Sequence, residues 1–259
     1  MRRISRFVGV MGAALLLTLL VTRPALAETV RFSNCLGGCP LGAPDTNHVI
    51  ARSIYTLSFN TEKRIADWVT YVVTAESIGV ATNLPRLATP DPAVSDTLNP
   101  QDFSSNGEGN RLLLDYFTPL VSFAGTPYWP ETNYLSNRVP RNSELNRGSW
   151  YGLEWAVRNL ANRTDGLYVI TGPIYEAPDL SQEQKAETAV PSAFFKVVSD
   201  ASGQAAAFIF PQDLPFHVHH CEQLSTIVEV EQLTGLDLFP ELPQIPVADL
   251  SEKLGCFRQ

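Results

Sequence analysis

Apolar residues along this chain recur in blocks that change rhythm. Residues 53–59 and 65–74 are rich in β-branched and aromatic side chains, which predicts two strands. A passage rich in Pro, Asn, Asp, Ser and Gly at 83–110 then breaks the pattern and predicts a long loop, an element that in compact domains is often functional. Residues 112–123 are apolar and predict strand in part. A helix is expected to begin around Glu144 and run to about Ala161. Residues 167–171 read as a buried strand that Gly172-Pro173 should end, and 193–198 and 205–210 as paired strands around a turn at 200–203. Thr226 and Glu229 form a capping-box pattern with Gly235 as the stop, so a second helix should start at about Glu222 or Thr226 and end at Thr234. Strands, helix, strands and helix together predict an α+β fold, a mostly antiparallel central sheet flanked by helices.

The first 27 residues follow a different plan. Arg2, Arg3 and Arg6 precede an apolar run at 7–21, and Arg23-Pro24-Ala25-Leu26-Ala27 closes on small residues, the layout of a secretory signal peptide cut before Glu28. A run of about 15 apolar residues is short of the ~20 that a spanning helix needs, and no later stretch is long and apolar enough. The expected product is one domain, residues 28–259, secreted or periplasmic and without a membrane segment. The whole chain carries a net charge of −8; loss of the leader's four arginines leaves 15 basic residues against 27 acids, about −12. Such a balance excludes loose attachment to nucleic acid through counterion release, which needs many Lys and Arg, but not a local basic cleft.

Cys35 and Cys39 lie near the expected new N-terminus, Cys221 and Cys256 near the C-terminus. Four cysteines in an exported chain read as two disulfides, with three pairings open. Neighbour pairing is the economical one: the glycines of Cys35-Leu-Gly-Gly-Cys39 permit a tight loop, and Cys221–Cys256 would tie down the tail. Neither the spacings nor nearby histidines suit a zinc site. His217, His219 and His220 are expected to be exposed polar residues beside a disulfide, with a weak transition-metal patch as the other reading.

Candidate chemistry concentrates on the first helix. Asn146, Trp150, Glu154 and Arg158 recur every four residues and would share one helical face. An amide oxygen and a carboxylate can serve Mg²⁺, which binds through one or two protein oxygens and keeps waters, while a neighbouring guanidinium can clamp a phosphate. The plainer reading is a solvated helix with a Glu154–Arg158 pair worth a few tenths of a kcal/mol. Trp129, Trp150 and Trp155 are expected in the core.

Resemblance separates the two. Asn133-Tyr-Leu-Ser-Asn137, Leu145-Asn146-Arg-Gly148, Leu153-Glu154 and Tyr168-Val-Ile-Thr-Gly-Pro173 are similar to the signature of secreted DNA/RNA non-specific endonucleases, the ββα-metal or His-Me finger class that includes mitochondrial endonuclease G. The likeness continues through Asn34-Cys-Leu-Gly-Gly-Cys-Pro40, Tyr55-Thr-Leu57, Ala66-Asp-Trp-Val69, Asp96-Thr-Leu-Asn-Pro100 and Pro191-Ser-Ala193, in order along nearly the whole mature chain. It implies a ββα-metal finger, hydrolysis of DNA and RNA phosphodiesters, and one Mg²⁺ (or Mn²⁺); a homodimer stays open. By position, Asn146 matches the metal asparagine, Glu154 the acid that orients metal waters, and Arg158 and Arg86 the phosphate-facing arginines.

The family's Asp-Arg-Gly-His motif is replaced here by Leu113-Leu114-Asp115-Tyr116, in a register fixed from both Pro100 and Pro119. Tyr116 therefore occupies the place of the base histidine and Leu114 that of an arginine. A phenol ionises near pH ~10 and is a poor base at neutral pH. Asp115 is a candidate substitute base, although strand alternation should send it and Tyr116 to opposite faces. Two functions follow: a nuclease impaired by these changes, or a catalytically inactive relative that binds nucleic acid, metal or a protein partner.

Overall fold

A central sheet runs in the order β1-β2-β3-β6-β7-β8-β10, with β9 also paired to β8. In the computed structural model, which describes residues 32–103, 112–175, 190–242 and 248–257, the strands are β1 (His48–Ala51), β2 (Tyr55–Asn60), β3 (Ile65–Val73), β6 (Leu167–Ile174), β7 (Ala193–Ser199), β8 (Gln204–Pro211), β9 (Leu224–Ser225) and β10 (Ala248–Asp249). All neighbours are antiparallel except the short β8–β10 pair. A separate two-stranded ribbon joins β4 (Leu112–Tyr116) to β5 (Arg138–Asn142). The α+β architecture expected from the pattern is present. The expected leader, and residues 104–110 of the expected loop, lie outside the described residues. Among the described residues no helix is long and apolar enough to cross a membrane.

The sheet is buried on both faces, which is why its strands read as apolar runs rather than as strict alternation. Along β7, Phe194 and Val198 join a core with Leu57, Phe59, Val69, Trp150 and Leu153, while Phe195 and Val197 join another with Trp68, Ile170, Ile227 and Val230. The first core is covered by α2 (Tyr151–Ala161), the second by α3 (Ile227–Thr234). For α3 the hydroxyl of Thr226 accepts the Glu229 N–H at 3.1 Å, and Gly235 ends the helix at φ 73°, a left-handed conformation that favours glycine. The helix therefore starts at the later of the two expected positions; His220–Gln223 forms a separate short turn before β9.

Two expectations need correction. Strand β6 does not end at Gly172-Pro173 but continues to Ile174. Its ladder with β3 stops at Thr171, so Pro173 pairs only with β7 and its missing N–H costs no bond on the β3 side. The first helix is not one regular helix: α1 (Ser143–Leu145) passes through a π-type turn, Asn146–Trp150, before α2 begins. Gly148 sits there with non-helical angles, and a β-carbon on it would lie 2.4 Å from the Phe216 carbonyl oxygen, so a close backbone approach sets the break.

Both neighbour disulfides form, Cys35–Cys39 and Cys221–Cys256. The second closes a loop of 35 residues, which by chain entropy stabilises the fold by about 3–4 kcal/mol. Beside it His220 is buried rather than exposed. Its Nε2 lies 3.2 Å from the Leu254 carbonyl, and its Nδ1 is buried without a hydrogen bond. Burial holds its pKa below the ordinary 6.5, with the Leu254 carbonyl opposing and His219 assisting. As pH falls the unfolded chain takes the proton first, so this contribution to stability is complete above about pH 6.5 and is lost as pH drops through the folded-state value. Thermal melting between pH 5 and 7.5 should show that loss, and His220→Asn should flatten it; parallel curves for the two proteins would refute the assignment.

Candidate active site

The β4–β5 ribbon and the broken helix after it bring the predicted residues to one place. A cleft of about 330 Å³ is lined by Arg86, Leu114, Asp115, Tyr116, Arg138, Asn146, Tyr151, Glu154 and Arg158, with the turn at Pro119–Val121. All five side chains assigned chemistry from the sequence, Tyr116, Arg86, Asn146, Glu154 and Arg158, are therefore neighbours. Asp115 and Tyr116 both line the cleft, contrary to the alternation rule. They lie at the end of a five-residue strand in which every residue is only partly buried.

Asn146 is held by both ends of its amide. Its Oδ1 accepts from Arg141 Nη1 at 3.2 Å, and its Nδ2 donates to Asp115 Oδ2, whose Oδ1 accepts the Tyr116 N–H at 2.7 Å. Arg141 is fully buried and also donates to the Tyr116 carbonyl at 3.1 Å. Burial lowers its pKa to about 10, opposed by the charges of Asp115 and Glu154, so it is a cation at neutral pH. Trp150 is the floor beneath it. The Arg141 guanidinium lies 3.8 Å and Lys196 Nζ 3.9 Å from the indole ring, an arrangement that favours both cations. Trp150 thus goes to the core as expected, but Trp155 is exposed and Trp129 only partly buried.

Glu154 lies between two cations, 3.2 Å from Lys196 Nζ and 3.9 Å from Arg158 Nη1. Burial pulls Lys196 down to about 8, against the raising effect of Glu154. The Nη1 of Arg158 is buried and makes no hydrogen bond, so the guanidinium keeps donor capacity for an anion in the cleft. The Tyr116 hydroxyl donates to Asn133 Oδ1 at 3.2 Å, and Arg138 covers its ring at 3.6 Å. Asn133 Nδ2 in turn donates to the Pro85 carbonyl at 2.9 Å, which ties the loop bearing Arg86 to the site.

Four contributors were not assigned from the sequence. Lys196 had a signal: one lysine in an apolar run is rarely buried unless paired. Asp115 was considered only as a base, not as a partner of Asn146. Arg138 and Arg141 flank Val139-Pro140 in a polar strand without periodicity, and no local pattern marks them.

The donor set fits a hard divalent cation. Asn146 Oδ1 keeps one lone pair beside the Arg141 bond, Asp115 and Glu154 add carboxylates, and no soft ligand lines the cleft. The histidine cluster offers no rival: the His219 Nδ1 accepts from the Cys221 N–H, and the Cys221 sulfur is locked in a disulfide.

The sequence profile of the DNA/RNA non-specific endonuclease family matches residues 123–245, a span that begins after β4. A nuclease from Serratia marcescens is 38% identical over 251 residues, covering 93% of this chain and 93% of that protein. Nuclease C1 of Cunninghamella echinulata is 27% identical, covering 83% and 92%. The mitochondrial nuclease EXOG of Danio rerio is also 27% identical, over 82% of this chain and 64% of its own length. Among solved structures, the crystal structure of an EndoG/EndoGI complex superposes with a TM-score of 0.65 at 23% identity, covering 80% of this chain and 91% of the matched one, which supports the fold.

Proposed function

The chain belongs to the family of DNA/RNA non-specific endonucleases, which is metal-dependent, and from that premise we propose that it is an exported nuclease that hydrolyses DNA and RNA phosphodiesters with Mg²⁺, slowly. The observation that carries this reading is the single cleft in which Asn146 and two carboxylates face Arg86, Arg138 and Arg158. Two disulfides suit an oxidising compartment, in keeping with export to the periplasm or beyond.

Phosphoryl transfer depends mainly on positioning and charge stabilisation. Arg158, with an unused donor, receives a non-bridging oxygen, while Arg86 and Arg138 extend the positive wall along the strand. Asn146 is fixed at both ends, so its oxygen needs no reorganisation to serve a cation. Bound there, Mg²⁺ would supply charge to the phosphate and an acidic water for the leaving oxygen. Water activation is the weak step. No histidine lines the cleft, the Tyr116 hydroxyl gives its hydrogen to Asn133, and both carboxylates already have partners. Absence of a good base costs about 10²–10⁴-fold in rate.

The test is nicking of supercoiled plasmid and digestion of RNA by the purified protein in Mg²⁺, in Mn²⁺ and in EDTA. Slow cleavage of both polymers, abolished by EDTA and restored by the cation, is expected. No cleavage in any cation, with oligonucleotide binding retained, would favour the inactive binding relative. Cleavage that survives chelation would overturn the metal role.

A further inference from the structure

Two aromatic side chains on α2 stand in water, and one of them, Tyr151, lines this cleft. Tyr151 is 52% exposed and Trp155 58%. Their spacing of four residues puts them on one helical face, while Leu153, Ala156, Val157 and Leu160 take the core side. A single exposed apolar residue needs no explanation. Here two large aromatic residues share one helical face by their spacing, and Tyr151 adjoins the anion-binding groups. Tyr151 lines the cleft itself, and the Arg158 guanidinium lies 5.5 Å from its ring centroid.

We propose that Tyr151 and Trp155 form a stacking platform for unpaired bases next to the phosphate held at Arg158, so that the protein prefers single-stranded DNA and RNA to duplex. This deepens, and rests on, the nuclease reading above. In a duplex each base face is covered by its neighbours, and exposing it costs unstacking energy; in a single strand the faces are free. Charge argues the same way. A chain of net charge −8 gains little affinity from a broad basic surface, so a few cations plus aromatic stacking are the contacts it can use. Stacking is tolerant of sequence because every base has a flat face. It is also less weakened by salt than phosphate contacts are.

The experiment measures equilibrium binding in EDTA of a fluorescent 12-nucleotide single strand, its duplex, and an abasic strand with the same phosphates. The native protein should bind the single strand at least ~10-fold tighter than the other two. Tyr151→Ala/Trp155→Ala should lose ~10–100-fold on the normal strand, the equivalent of about one stacked base at 1.4 kcal/mol per tenfold, with the abasic strand nearly unchanged. Trp155→Phe should keep most of the affinity. Equal affinity for normal and abasic strands, or a double variant that binds like the parent, would overturn the platform. Cleavage in Mg²⁺ on the same proteins separates the two readings. Strand discrimination without cleavage leaves the platform standing and removes the nuclease, whereas cleavage without discrimination does the reverse.

Discussion

Asn146→Ala is expected to reduce cleavage of plasmid and RNA in Mg²⁺ by ~10²–10³-fold, the usual loss when one fixed polar group facing the reacting oxygen is deleted. The amide is the point where the β4–β5 ribbon and the broken helix meet: Arg141 bonds its oxygen and Asp115 its nitrogen. Removing it takes away the uncharged oxygen donor and lets a buried cation pair directly with Asp115, which withdraws that carboxylate from the cleft. The fold should survive, because Arg141 retains the Tyr116 carbonyl at 3.1 Å and the Trp150 ring at 3.8 Å. Circular dichroism and melting of the variant therefore belong beside the rate. A native-like melt with the rate down at least a hundredfold is the expected pair of results. A rate within about threefold of the parent would mean that the amide is not at the chemistry, and the order-of-magnitude reasoning about oriented charge would have no object here.

The strands that pack on both sides were legible because burial writes apolar residues into the sequence. Segments 65–74, 193–198 and 205–210 correspond closely to β3, β7 and β8, and Thr226, Glu229 and Gly235 mark the ends of α3 by local hydrogen bonding and backbone geometry. What escaped depends on partners far along the chain. Strand β5 contains Arg138, Pro140, Arg141 and Asn142 and has no apolar rhythm; its pairing with Leu112–Tyr116 makes it a strand. The break at Gly148 is dictated by the Phe216 carbonyl, 68 positions later in sequence, which no window on the helix can register. The same holds for the site. Family motifs placed Asn146, Glu154, Arg158, Arg86 and Tyr116, and these meet in one cleft. The counter-charges around them did not show, because Lys196 reaches Glu154 across 42 positions and Asn146 reaches Asp115 across 31.

Tyr116→His should raise the rate of cleavage by ~10²-fold or more, the contribution typical of a positioned general base. The side chain already enters the cleft, so an imidazole of smaller reach occupies the same wall. Two neighbours decide whether it works. Arg138, now 3.6 Å from the Tyr116 ring centroid, would face the imidazole as a like charge and disfavour its protonated form, so the ring stays neutral and able to accept a proton near pH 7. Asn133 Oδ1, which loses the phenol hydrogen, keeps the Arg138 Nη2 donor at 3.3 Å and is not left bare. Adding Leu114→Arg to the same protein places a further cation beside the phosphate and should increase the gain. Tyr116→Phe is the control: it removes the hydroxyl alone, and because that hydroxyl only donates to Asn133, the rate should stay within about threefold of the parent. In Tyr116→His the rate should also acquire a rise with pH through the imidazole range, near ~6.5 or somewhat below, that the parent lacks. If the histidine protein is no faster than the parent and its pH profile is unchanged, position 116 does not serve the attacking water, and the slow step lies instead in how the cleft holds the phosphate.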